Sequence, residues 1–427
     1  MLIHDGALKA LRILKLNSFE AYIVGGAVRD HFLGLQSQDI DIVTNAKLHE
    51  IENIFSDYKI VKYKKGHTYG VLINNMFVEI STFDGDNIYE DLMNRDFTIN
   101  AIAYSLDNGF VDPFNGIEAI EDKILKSPKA FDEMIAHDPL RILRAIRFSI
   151  SLDMKISEEL KEALNKNAYL LEQVNKQRFT KDLNIILESS KPSVYIRDYF
   201  EVFAQIFKPL RECYNFQQHS NWHHLDVLEH TLAVLDYTKP NLVLRLTALL
   251  HDIMKPSAFT LDSNGIGHFY NHHILSKDYA IQILSKLSYS NEVINRVARL
   301  IYYHDRSMSL KKASLLKFLN KVGDKDLDLY FDLRRADITG QNPSLIYRLN
   351  DIDKIEKIIN EYIKNKEPYK LANLKIDGNH LLSMGYTQER IKIILEDVLS
   401  KTISGQLANE RDILIKYVTD IKKKELQ

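Results

Sequence analysis

Cysteine is nearly absent from this chain of 427 residues, since Cys213 is the only one. One cysteine excludes a disulfide bond within the chain and a zinc site built from several cysteines. Metal chemistry would therefore have to use histidine and carboxylate ligands. The scarcity of cysteine also suits a reducing compartment, so we expect a cytoplasmic protein.

Long apolar runs are lacking too. No stretch of the sequence approaches the roughly twenty apolar residues that cross a bilayer. The first residues, MLIHDGALKALRILKL, lack the basic segment and long apolar core of a secretory leader. We therefore expect a soluble protein without a membrane partner.

A strong charge of one sign is also missing, because the formal net charge is -2 at pH 7. The overall charge gives no indication of a polyanionic partner, and a nucleic-acid surface would have to be a local patch. The chain length predicts roughly two to four domains.

The first part of the chain has the pattern of an α/β domain. Between residues 21 and 125, short β-branched runs alternate with Gly, Asn and Asp turns; the runs are AYIV, DIDIV, YKIVKY, GVLI and FVEISTF. From about Ser127, apolar residues recur three and four positions apart, as in DPLRILRAIRFSI. This spacing predicts helices for the rest of the chain.

Two aspartates stand together in the run DIDIV. Side chains two apart on a strand point to one face, so Asp39 and Asp41 would present neighbouring carboxylates. Two negative charges held so close need a counter-ion, and Mg²⁺ prefers carboxylate oxygen while keeping positions open for phosphate and water. Metal-dependent phosphoryl transfer follows as a hypothesis. Ordinary solvent-facing strand carboxylates are the alternative.

A Gly-Gly turn precedes these aspartates. Without side chains, the N–H groups of Gly25 and Gly26 could approach phosphates closely, above all where a helix begins just after them. Arg29 follows three residues later and would lie near the same charges. A bare Gly-Gly is a weak signal by itself.

Four segments in order carry a family resemblance. They are GGAVRD (25–30), DIDIV (39–43), NRDFTINAIAY (94–104) and DPLRILRAIRF (138–148). In order and content, the first 190 residues resemble the class II tRNA nucleotidyltransferase and bacterial poly(A) polymerase family. The resemblance implies that Asp39 and Asp41 are catalytic and hold Mg²⁺ ions that activate a primer 3′-hydroxyl.

The resemblance also implies a set of nucleotide-binding residues. These are Gly25, Gly26, Arg29 and Asp30 around the triphosphate, and Arg95, Asp96 and Asn100 at the sugar and phosphate. Glu79, in FVEISTF, is a candidate third carboxylate, with a plain exposed strand glutamate as the expected alternative.

Base choice is implied for Asp138 and Arg141. Their spacing predicts that both lie on one face of a helix. A carboxylate accepts and a guanidinium donates, so the pair suits cytosine or adenine and would reject uracil and guanine. The family's motif reads Glu-Asp-x-x-Arg, and His137 replaces its Glu here. A surface ion pair is the alternative for an isolated Asp-x-x-Arg.

Three further arginines extend this prediction. Arg144 and Arg147 continue the stripe that Arg141 begins. Arg178 matches a family element that usually reads Glu-Arg with a later Glu, and the resemblance implies that it braces the nucleotide pocket. Gln177 and Asp182 stand where that element has its two acids.

Only the segment DGDNIYEDLM separates ISTF (80–83) from NRDF (94–97). Relatives that add all of CCA usually carry a longer flexible segment there, and relatives that add only CC are marked partly by a shorter one. A mobile loop could readjust the pocket from cytosine to adenine. Addition of CC, with a separate A-adding enzyme in the same pathway, and addition of full CCA both stay open. A addition or poly(A) synthesis ranks behind them.

Histidine is concentrated between residues 215 and 310, where nine of the fifteen lie. The segments HHLDVLEHTLAVL, LTALLHDIMKP, HFYNHHILSK and IYYHD resemble an HD domain. The resemblance implies His230, His251 and Asp252 as metal ligands, with His272, His304 or Asp305 completing the site. Imidazole and carboxylate ligands suit a transition metal or Mg²⁺ that activates water against a phosphoester.

A scaffold without a metal is the alternative for this region, since Met254 replaces the Gly usual after His-Asp-Ile. We expect His219, His224 and His268 to be ordinary surface or capping histidines.

The predicted fold class is an α/β nucleotidyltransferase head with a mixed sheet, followed by an all-α neck, an HD domain and a helical tail. The predicted bounds are 1–125 for the head, 126–214 for the neck with the base-selecting motif, 215–335 for the HD domain and 336–427 for the tail. The tail would grip tRNA through lysines on or beside its helices: Lys354, Lys357, Lys364, Lys366 and Lys370.

The predicted function is template-independent addition of cytidine nucleotides, and in the full-CCA alternative adenosine as well, to the 3′ end of tRNA from CTP and ATP. One rival is an HD-type metal-dependent phosphohydrolase whose head only binds nucleotide. Another is a non-catalytic RNA-binding protein, against which the intact Asp39 and Asp41 argue.

Overall fold

The structure is a computed structural model that describes residues 5–37, 39–63 and 68–425. The chain divides into two compact units. The first contains the chain up to Ile186 together with Arg197–Ile206, and the second contains Leu187–Ile196 together with the chain from Phe207 onward. This division falls within the predicted neck, and the predicted domain bounds stay a prediction.

The described part of the first unit contains a mixed sheet. Its strands are β1 Ala21–Val24, β2 Ile40–Thr44, β3 Lys59–Lys62, β4 Thr68–Ile73, β5 Met76–Thr82, β6 Ala103–Ser105 and β7 Gly109–Val111. Their order is β3-β4-β5-β2-β1-β6-β7, with β2 and β5 parallel and the other neighbours antiparallel. A mixed sheet followed by helices confirms the predicted fold class.

The alternation of side chains along β2 decides which face can carry chemistry. Ile40 and Ile42 are buried, whereas Asp41 between them points to the opposite face and is only partly buried. The parallel register with β5 places Asp41 beside Glu79. Asp39 is exposed and stands immediately before the first residue of the strand.

The first helices of the chain contact this sheet, and further helices follow it along the chain. They are α1 Asp5–Leu16, α2 Gly26–Phe32, α3 Leu48–Ile54, α4 Ile88–Met93, α5 Gly116–Glu121, α6 Phe131–His137, α7 Arg141–Ser151, α8 Glu158–Lys166, α9 Thr180–Leu187, α10 Pro192–Asp198 and α11 Phe200–Ile206. Short 3-10 helices cover Thr98–Asn100, Ala168–Gln173 and Lys176–Arg178. In α7 the apolar residues from Ile142 to Phe148 are buried, whereas Arg144 and Arg147 are only partly buried.

Asp138 and Arg141 do not share a helix, so the prediction of one common helix face is wrong. Helix α6 ends at His137, Asp138 is extended with φ -144 and ψ 102, and α7 begins at Arg141. The residue before a proline is pushed out of the helical conformation, and Pro139 follows Asp138.

The second unit is mainly helical. Its remaining helices are α12 Leu210–Cys213, α13 Val227–Tyr237, α14 Leu242–Leu250, α15 His272–Lys286, α16 Asn291–Tyr303, α17 Lys312–Val322, α18 Leu327–Gly340, α19 Leu349–Lys364, α20 Gly378–Ser383, α21 Gln388–Ile403 and α22 Arg411–Glu425. Strands β8 Phe259–Leu261 and β9 Gly267–Phe269 form a hairpin between α14 and α15.

Packing in the second unit centres on α13, which contacts both α14 and α18, while α15 packs along α16. Cys213, at the end of α12, is buried and donates its Sγ hydrogen to the carbonyl oxygen of Ile253 at 3.4 Å. Among the described residues, no helix combines the length and the apolar character that crossing a membrane requires.

Candidate functional site

The strand carboxylates of the first unit form the first candidate site. Burial raises the pKa of the Asp41 carboxyl above its usual range; Glu79 raises it further, Arg95 lowers it, and Asp39 adds a smaller rise. Nearby negative charge and lost hydration both disfavour the ionised form. Arg95 therefore compensates the negative charge around Asp41 only in part, and a bound cation would supply the rest.

Gly25 provides the backbone wall of this site. Its φ of +70 favours glycine, and it immediately precedes α2. A Cβ atom built on Gly25 would lie 3.1 Å from Nη1 of Arg95 and 3.6 Å from Oδ2 of Asp41. The side of Gly25 on which another residue would carry its side chain thus faces both Arg95 and Asp41.

Arg95 is fixed in place by a buried acid. Asp91 accepts hydrogen bonds at Oδ2 from Nε and Nη2 of Arg95, at 3.0 and 2.9 Å. Asp91 lies on α4, in the short segment 84–93, and its other oxygen accepts from the N–H of Asp84 at 3.0 Å. The sequence interpretation did not assign a role to Asp91. Its place four residues before Arg95, at helical spacing, was the available signal.

A chain of hydrogen bonds joins the other predicted nucleotide-binding residues. Arg29 donates from Nη1 to Oδ1 of Asn100 at 2.7 Å, and its Nε and Nη2 donate to Oδ1 of Asp30 at 3.0 and 2.7 Å. Asn100 donates to Oδ1 of Asp96 at 2.9 Å, and Nη2 of Arg144 lies 2.7 Å from Oδ2 of Asp96. The turn, the NRDF segment and α7 are therefore connected.

Arg141 is engaged with the main chain. It donates from Nη1 to the carbonyl of Met134 at 3.2 Å and from Nη2 to the carbonyl of Asn94 at 2.5 Å. Burial lowers the pKa of its guanidinium, and Asp96 and Asp138 partly oppose that shift. In this structure Arg141 ties α7 to the segment that carries Arg95.

Asp138 instead meets Arg178. Nη2 of Arg178 lies 3.1 Å from Oδ2 of Asp138, and both side chains keep solvent contact. Asp182, which stands where the resemblance has a glutamate, forms an ion pair at 2.6 Å with Nε of Arg147. Although aspartate is shorter than glutamate, Asp182 therefore still contacts Arg147.

Phe148 brings three of the arginines onto one aromatic ring. The guanidinium carbons of Arg147, Arg29 and Arg144 lie 4.0, 5.5 and 5.8 Å from its ring centroid. The sequence interpretation missed this ring. Its signal was weak, because a buried aromatic residue in a helix is usually only part of the core.

The short segment before NRDF is tied down by its own side chains. The side chain of Asn87 accepts from the N–H groups of Tyr89 and Glu90 at 3.0 and 3.1 Å, which caps α4. The side-chain amide of Asn94 donates to the carbonyl of Asp84 at 2.9 Å. The segment is a capped helix whose Asp91 holds Arg95.

The histidine-rich region of the second unit forms another candidate site around Asp252. Nε2 atoms of His230 and His251 lie 3.5 and 3.2 Å from Oδ2 of Asp252. Nε2 atoms of His272 and His304 lie 3.2 and 3.5 Å from its Oδ1. The structure therefore brings together the three predicted ligands and two of the residues predicted to complete the site.

Charged neighbours surround this cluster. Nζ of Lys255 lies 2.7 Å from Oδ2 of Asp252, and Oδ1 of Asp337 lies 3.3 Å from Nε2 of His230. Burial lowers the pKa of His230, but Asp252 and Asp337 outweigh burial and raise it to about 9. Asp337 was missed because it lies on α18, far along the chain from the His-Asp doublet.

The cluster opens into a cavity of about 510 Å³. Its wall includes Lys255, Arg334 and Arg348, and the guanidinium carbon of Arg348 lies 4.8 Å from the ring centroid of Trp222. His268 also lines the cavity and pairs with Asp262 at 3.0 Å, whereas His219 and His224 are exposed.

Two known protein families match separate parts of the chain, one in each candidate-site region. The family described as "Poly A polymerase head domain" matches residues 21–126, and the family described as "HD domain" matches residues 223–339. The "CCA-adding enzyme" of Geobacillus kaustophilus is 38% identical over 199 residues, which are 43% of this chain and 49% of that protein. The "CC-adding tRNA nucleotidyltransferase" of Shouchella clausii is 36% identical over 181 residues, 42% of this chain and 47% of that protein. The chain thus spans about half the length of these curated relatives.

A solved structure extends the similarity in fold to nearly the whole chain. The Bacillus stearothermophilus CCA-adding enzyme in complex with CTP matches with a TM-score of 0.63 and 21% identity, over 99% of each chain. The head family implies a divalent metal. Among the described residues, groups of acids and histidines in the HD region could also hold a metal ion. The two family matches, to the poly(A) polymerase head domain over residues 21–126 and to the HD domain over residues 223–339, confirm the resemblance predicted from the motifs.

Proposed function

We propose that this protein is a nucleotidyltransferase that adds nucleotides, without a template, to the 3′ end of tRNA. The observation that carries the proposal is the placement of Asp41 beside Glu79, Arg95 and the Gly25 backbone on one face of the sheet. Carboxylates on one side and arginines on the other suit a metal-bound nucleoside triphosphate. The name of the Shouchella clausii relative, a "CC-adding tRNA nucleotidyltransferase", supports tRNA as the primer.

Asp39 and Asp41 would hold the divalent ion, which we propose to be Mg²⁺. The donor set fits, because hard carboxylate oxygens on a partly open strand end leave room for phosphate oxygens and water. The ion would neutralise the triphosphate and activate the primer hydroxyl. The carboxylates would be catalytic through this role, and Glu79 would add negative charge beside them.

The reaction would be an in-line displacement. The primer 3′-oxygen bonds to the α-phosphorus, the bond from that phosphorus to the bridging oxygen breaks, and pyrophosphate leaves while the hydroxyl proton passes to water. Gly25 and Gly26 would hold the triphosphate through main-chain N–H groups. Arg29, Arg95 and Arg144 would neutralise its charge, held in position by Asp30, Asp91, Asn100 and Asp96.

Base selection would begin with Asp138, which lies outside the helices in an extended conformation. Its contact with Arg178 supplies a donor beside an acceptor, the combination that cytosine's edge requires. We propose that Arg178 braces Asp138 and that Arg141 joins the base only by releasing its main-chain partners. Arg147 would support the pocket through Asp182 and Phe148.

Addition limited to CC is a specific form of this proposal. The observation that favours it is the capped segment 84–93, whose Asp91 is bound to Arg95. A loop that must readjust the pocket for adenine should move freely, and this one is bonded at both ends. A separate A-adding enzyme would then complete the tRNA. CCA-adding and CC-adding relatives match at similar identity, so full CCA addition stays the competing form.

The tail offers two different surfaces for tRNA. Lys357 and Lys364 line a shallow cavity together with Asp353, Glu356 and Glu361, so positive charge there is diluted. A second cavity of about 650 Å³ is lined by four cations, Arg306, Lys317, Lys321 and Lys370, and by a single acid, Glu396. We propose that the phosphate backbone of tRNA contacts this second surface.

The decisive experiment extends tRNA transcripts that end before CCA, after C and after CC. Each is incubated with Mg²⁺ and with CTP and ATP singly and together, and products are resolved at single-nucleotide length. Extension that stops after CC, with no A added to the CC-ended transcript, supports the CC-adding form. Completion through A supports the CCA-adding form and removes the role given to the short segment. No extension of any transcript contradicts the proposal.

A metal-dependent phosphohydrolase in the HD region is a second candidate activity. The observation that favours it is the cavity in which Lys255, Arg334 and Arg348 lie beside the histidine cluster. Water oxygen would bond to phosphorus, the ester bond would break, and the alcohol would leave with a proton. A bound metal would supply Lewis-acid activation. Hydrolysis of a 2′,3′-cyclic nucleotide in the Asp39→Ala, Asp41→Ala double variant, and its loss in Asp252→Asn, would establish it.

A further inference from the structure

One face of the sheet carries a row of residues that crosses strands β4, β5 and β2. Gly70 stands opposite Glu79 in the register of β4 with β5, and Glu79 stands opposite Asp41 in the register of β5 with β2. Residues directly opposite each other on neighbouring strands share a face of the sheet. Two positions of the row therefore carry carboxylates, and the third, on β4, carries no side chain.

The side chain of Tyr63 covers this empty position. Tyr63 directly follows β3, the strand that pairs with β4. A Cβ atom built on Gly70 would lie 2.9 Å from the phenol oxygen of Tyr63 and 3.2 and 3.3 Å from two carbons of its ring, and these are the three nearest atoms. The ring therefore lies over Gly70, with its hydroxyl on the face of the sheet that carries Glu79.

The Tyr63 hydroxyl donates a hydrogen bond to the carboxylate of Glu79. Burial raises the pKa of the phenol, the charge of Glu79 raises it further, the hydrogen bond to Glu79 adds to the rise, and Asp39 makes a smaller contribution. The hydroxyl therefore stays protonated and acts as a donor instead of adding another negative charge. A hydrogen bond to an ionised acceptor is stronger than one between neutral groups.

The position of this donor determines where the charge of Glu79 lies. Strand β5 lies between β4 and β2, so the phenol over Gly70 and the carboxylate of Asp41 are on opposite sides of Glu79. The hydrogen bond from Tyr63 therefore draws the carboxylate of Glu79 toward β4. Like charges repel more strongly as they approach, so the direction of Glu79 sets the repulsion that acts on Asp41.

We propose that Tyr63 is a positioning residue for nucleotidyl transfer, because it holds the carboxylate of Glu79 on the β4 side of the row. This inference rests on the proposed function of the head, and it gives a role to a residue outside the four segments that carry the family resemblance. Reacting groups must be held within about half an ångström of the productive geometry. A Glu79 released from Tyr63 would turn freely beside Asp41, which should slow turnover more than it weakens nucleotide binding.

Two substitutions remove the contact in different ways. Tyr63→Phe deletes the hydroxyl, and Gly70→Ala places a methyl group where the phenol lies. The backbone at Gly70 does not have a positive φ, and the Tyr63 side chain is 41% exposed, so both variants should fold. Each should lower kcat for CTP addition to tRNA that lacks CCA roughly tenfold and change KM for CTP less than about twofold.

Tyr69→Phe is the matched control. The phenol of Tyr69 lies 3.4 Å from Oε2 of Glu52, so this variant loses a similar contact outside the candidate site. It should keep the natural kcat. If the natural chain extends tRNA and Tyr63→Phe keeps its turnover, the positioning role is wrong. A rise in KM with unchanged kcat would also overturn it, because Tyr63 would then serve nucleotide binding.

A Glu79→Ala background shows whether Tyr63 acts through Glu79. In this background Tyr63→Phe should lower kcat no further, because the acceptor of its hydrogen bond is already gone. A further loss of roughly tenfold would show that Tyr63 acts on the substrates by itself, which would contradict the proposal.

Urea denaturation with chelator tests the contact without any turnover. Tyr63→Phe should lower the midpoint of unfolding in the natural chain and leave it unchanged in the Glu79→Ala background. An equal shift in both backgrounds would show that Tyr63 does not hold Glu79, and the proposal would fail. If the natural chain extends no tRNA, the proposed function fails together with the positioning role, whereas this comparison still decides whether the contact exists.

Discussion

The two candidate sites of this chain differ in how much of a metal's coordination the protein supplies. In the head, carboxylates at and just before the start of a strand are partly open to solvent. Most coordination positions of a metal ion there would be left to water and substrate oxygens. In the HD region, buried imidazoles converge on one carboxylate from two sides. An oxygen site left open suits an ion that arrives with triphosphate and water, whereas a closed nitrogen site suits an ion that stays.

The positive groups differ in the same way. Around the head carboxylates, Arg29, Arg95 and Arg144 are each held by an acid or an amide, so they are positioned before any ligand binds. In the HD region Lys255 contacts the central carboxylate, Asp252, itself. In the head, the arginines are therefore held by side chains other than the strand carboxylates, whereas in the HD region the cation contacts the central carboxylate directly.

The largest expected effect is loss of incorporation without loss of metal from the HD region. Asp41→Asn removes a proposed ligand of the head ion, worth several kcal/mol, so kcat for nucleotide addition should fall roughly a thousandfold or more. Incorporation is measured on CC-lacking tRNA, and metal content is measured after gel filtration.

Asp57→Asn is the matched control for this variant, because Asp57 is an exposed acid of the same unit. It should retain both activity and metal. If Asp41→Asn keeps its turnover, the proposed difference between the two sites is wrong.

A smaller effect is expected on base choice. Asp138→Ala removes the acceptor beside Arg178, and one good base contact is worth about 1–3 kcal/mol, so the preference for CTP over UTP in kcat/KM should fall roughly tenfold to a hundredfold. The KM for pyrophosphate in the reverse reaction, which reports phosphate binding, should change little. Retained preference for cytosine would remove Asp138 from the base-selecting role.

Phe148→Leu should have a moderate effect on nucleotide binding. Three guanidinium groups surround this ring, and each cation–π contact is worth about 0.5–1 kcal/mol at a partly exposed site. We expect KM for CTP to rise several-fold with a smaller change in kcat. Phe203→Leu, another buried aromatic of the same unit, controls for general loss of packing.

The smallest expected effect is a gain in stability from Asp41→Asn, the substitution expected to reduce activity most. Burial and Glu79 raise the pKa of Asp41, so the folded protein binds the Asp41 proton more tightly than the unfolded chain. Stability from this group is then greatest below the ordinary aspartate pKa and falls as pH rises to the raised pKa. Without divalent metal at pH 7, Asp41→Asn should therefore raise the free energy of unfolding.

Urea denaturation with chelator at pH 4 and pH 7 measures this gain, which should shrink at the lower pH. Added Mg²⁺ should stabilise the natural protein more than the variant. A variant less stable than the natural protein at pH 7 would show that the Asp41 charge is compensated within the fold.

Much of the head could be predicted because its signals are local. The pattern of DIDIV placed Asp41 opposite two buried isoleucines, and Gly25 preceded a helix as expected. The position of Asp138 is also set locally, because Pro139 after it excludes the helical conformation that the spacing alone predicts. The main-chain contacts of Arg141 could not be predicted, because they depend on how residues 94 and 134 approach it in three dimensions.

The HD region shows the opposite limit. Its histidines were visible as a concentration along the chain, and His251 and Asp252 were adjacent. No local pattern, however, could show that His272 and His304 approach the second oxygen of the same aspartate. His272 begins α15 and His304 follows α16, and only the packing of these two helices brings the residues together. Asp337, on α18, was invisible for the same reason.

The single thiol of this chain, Cys213, can report on local opening of the structure around it. Cys213 is 1% exposed, and burial raises the pKa of its thiol, so it should react only while α12 is detached from the chain at Ile253. The rate at which a thiol reagent labels the native chain therefore reports how often α12 separates from Ile253, the residue that follows the His-Asp doublet. Because no other cysteine competes for the reagent, that frequency can be read from intact mass alone.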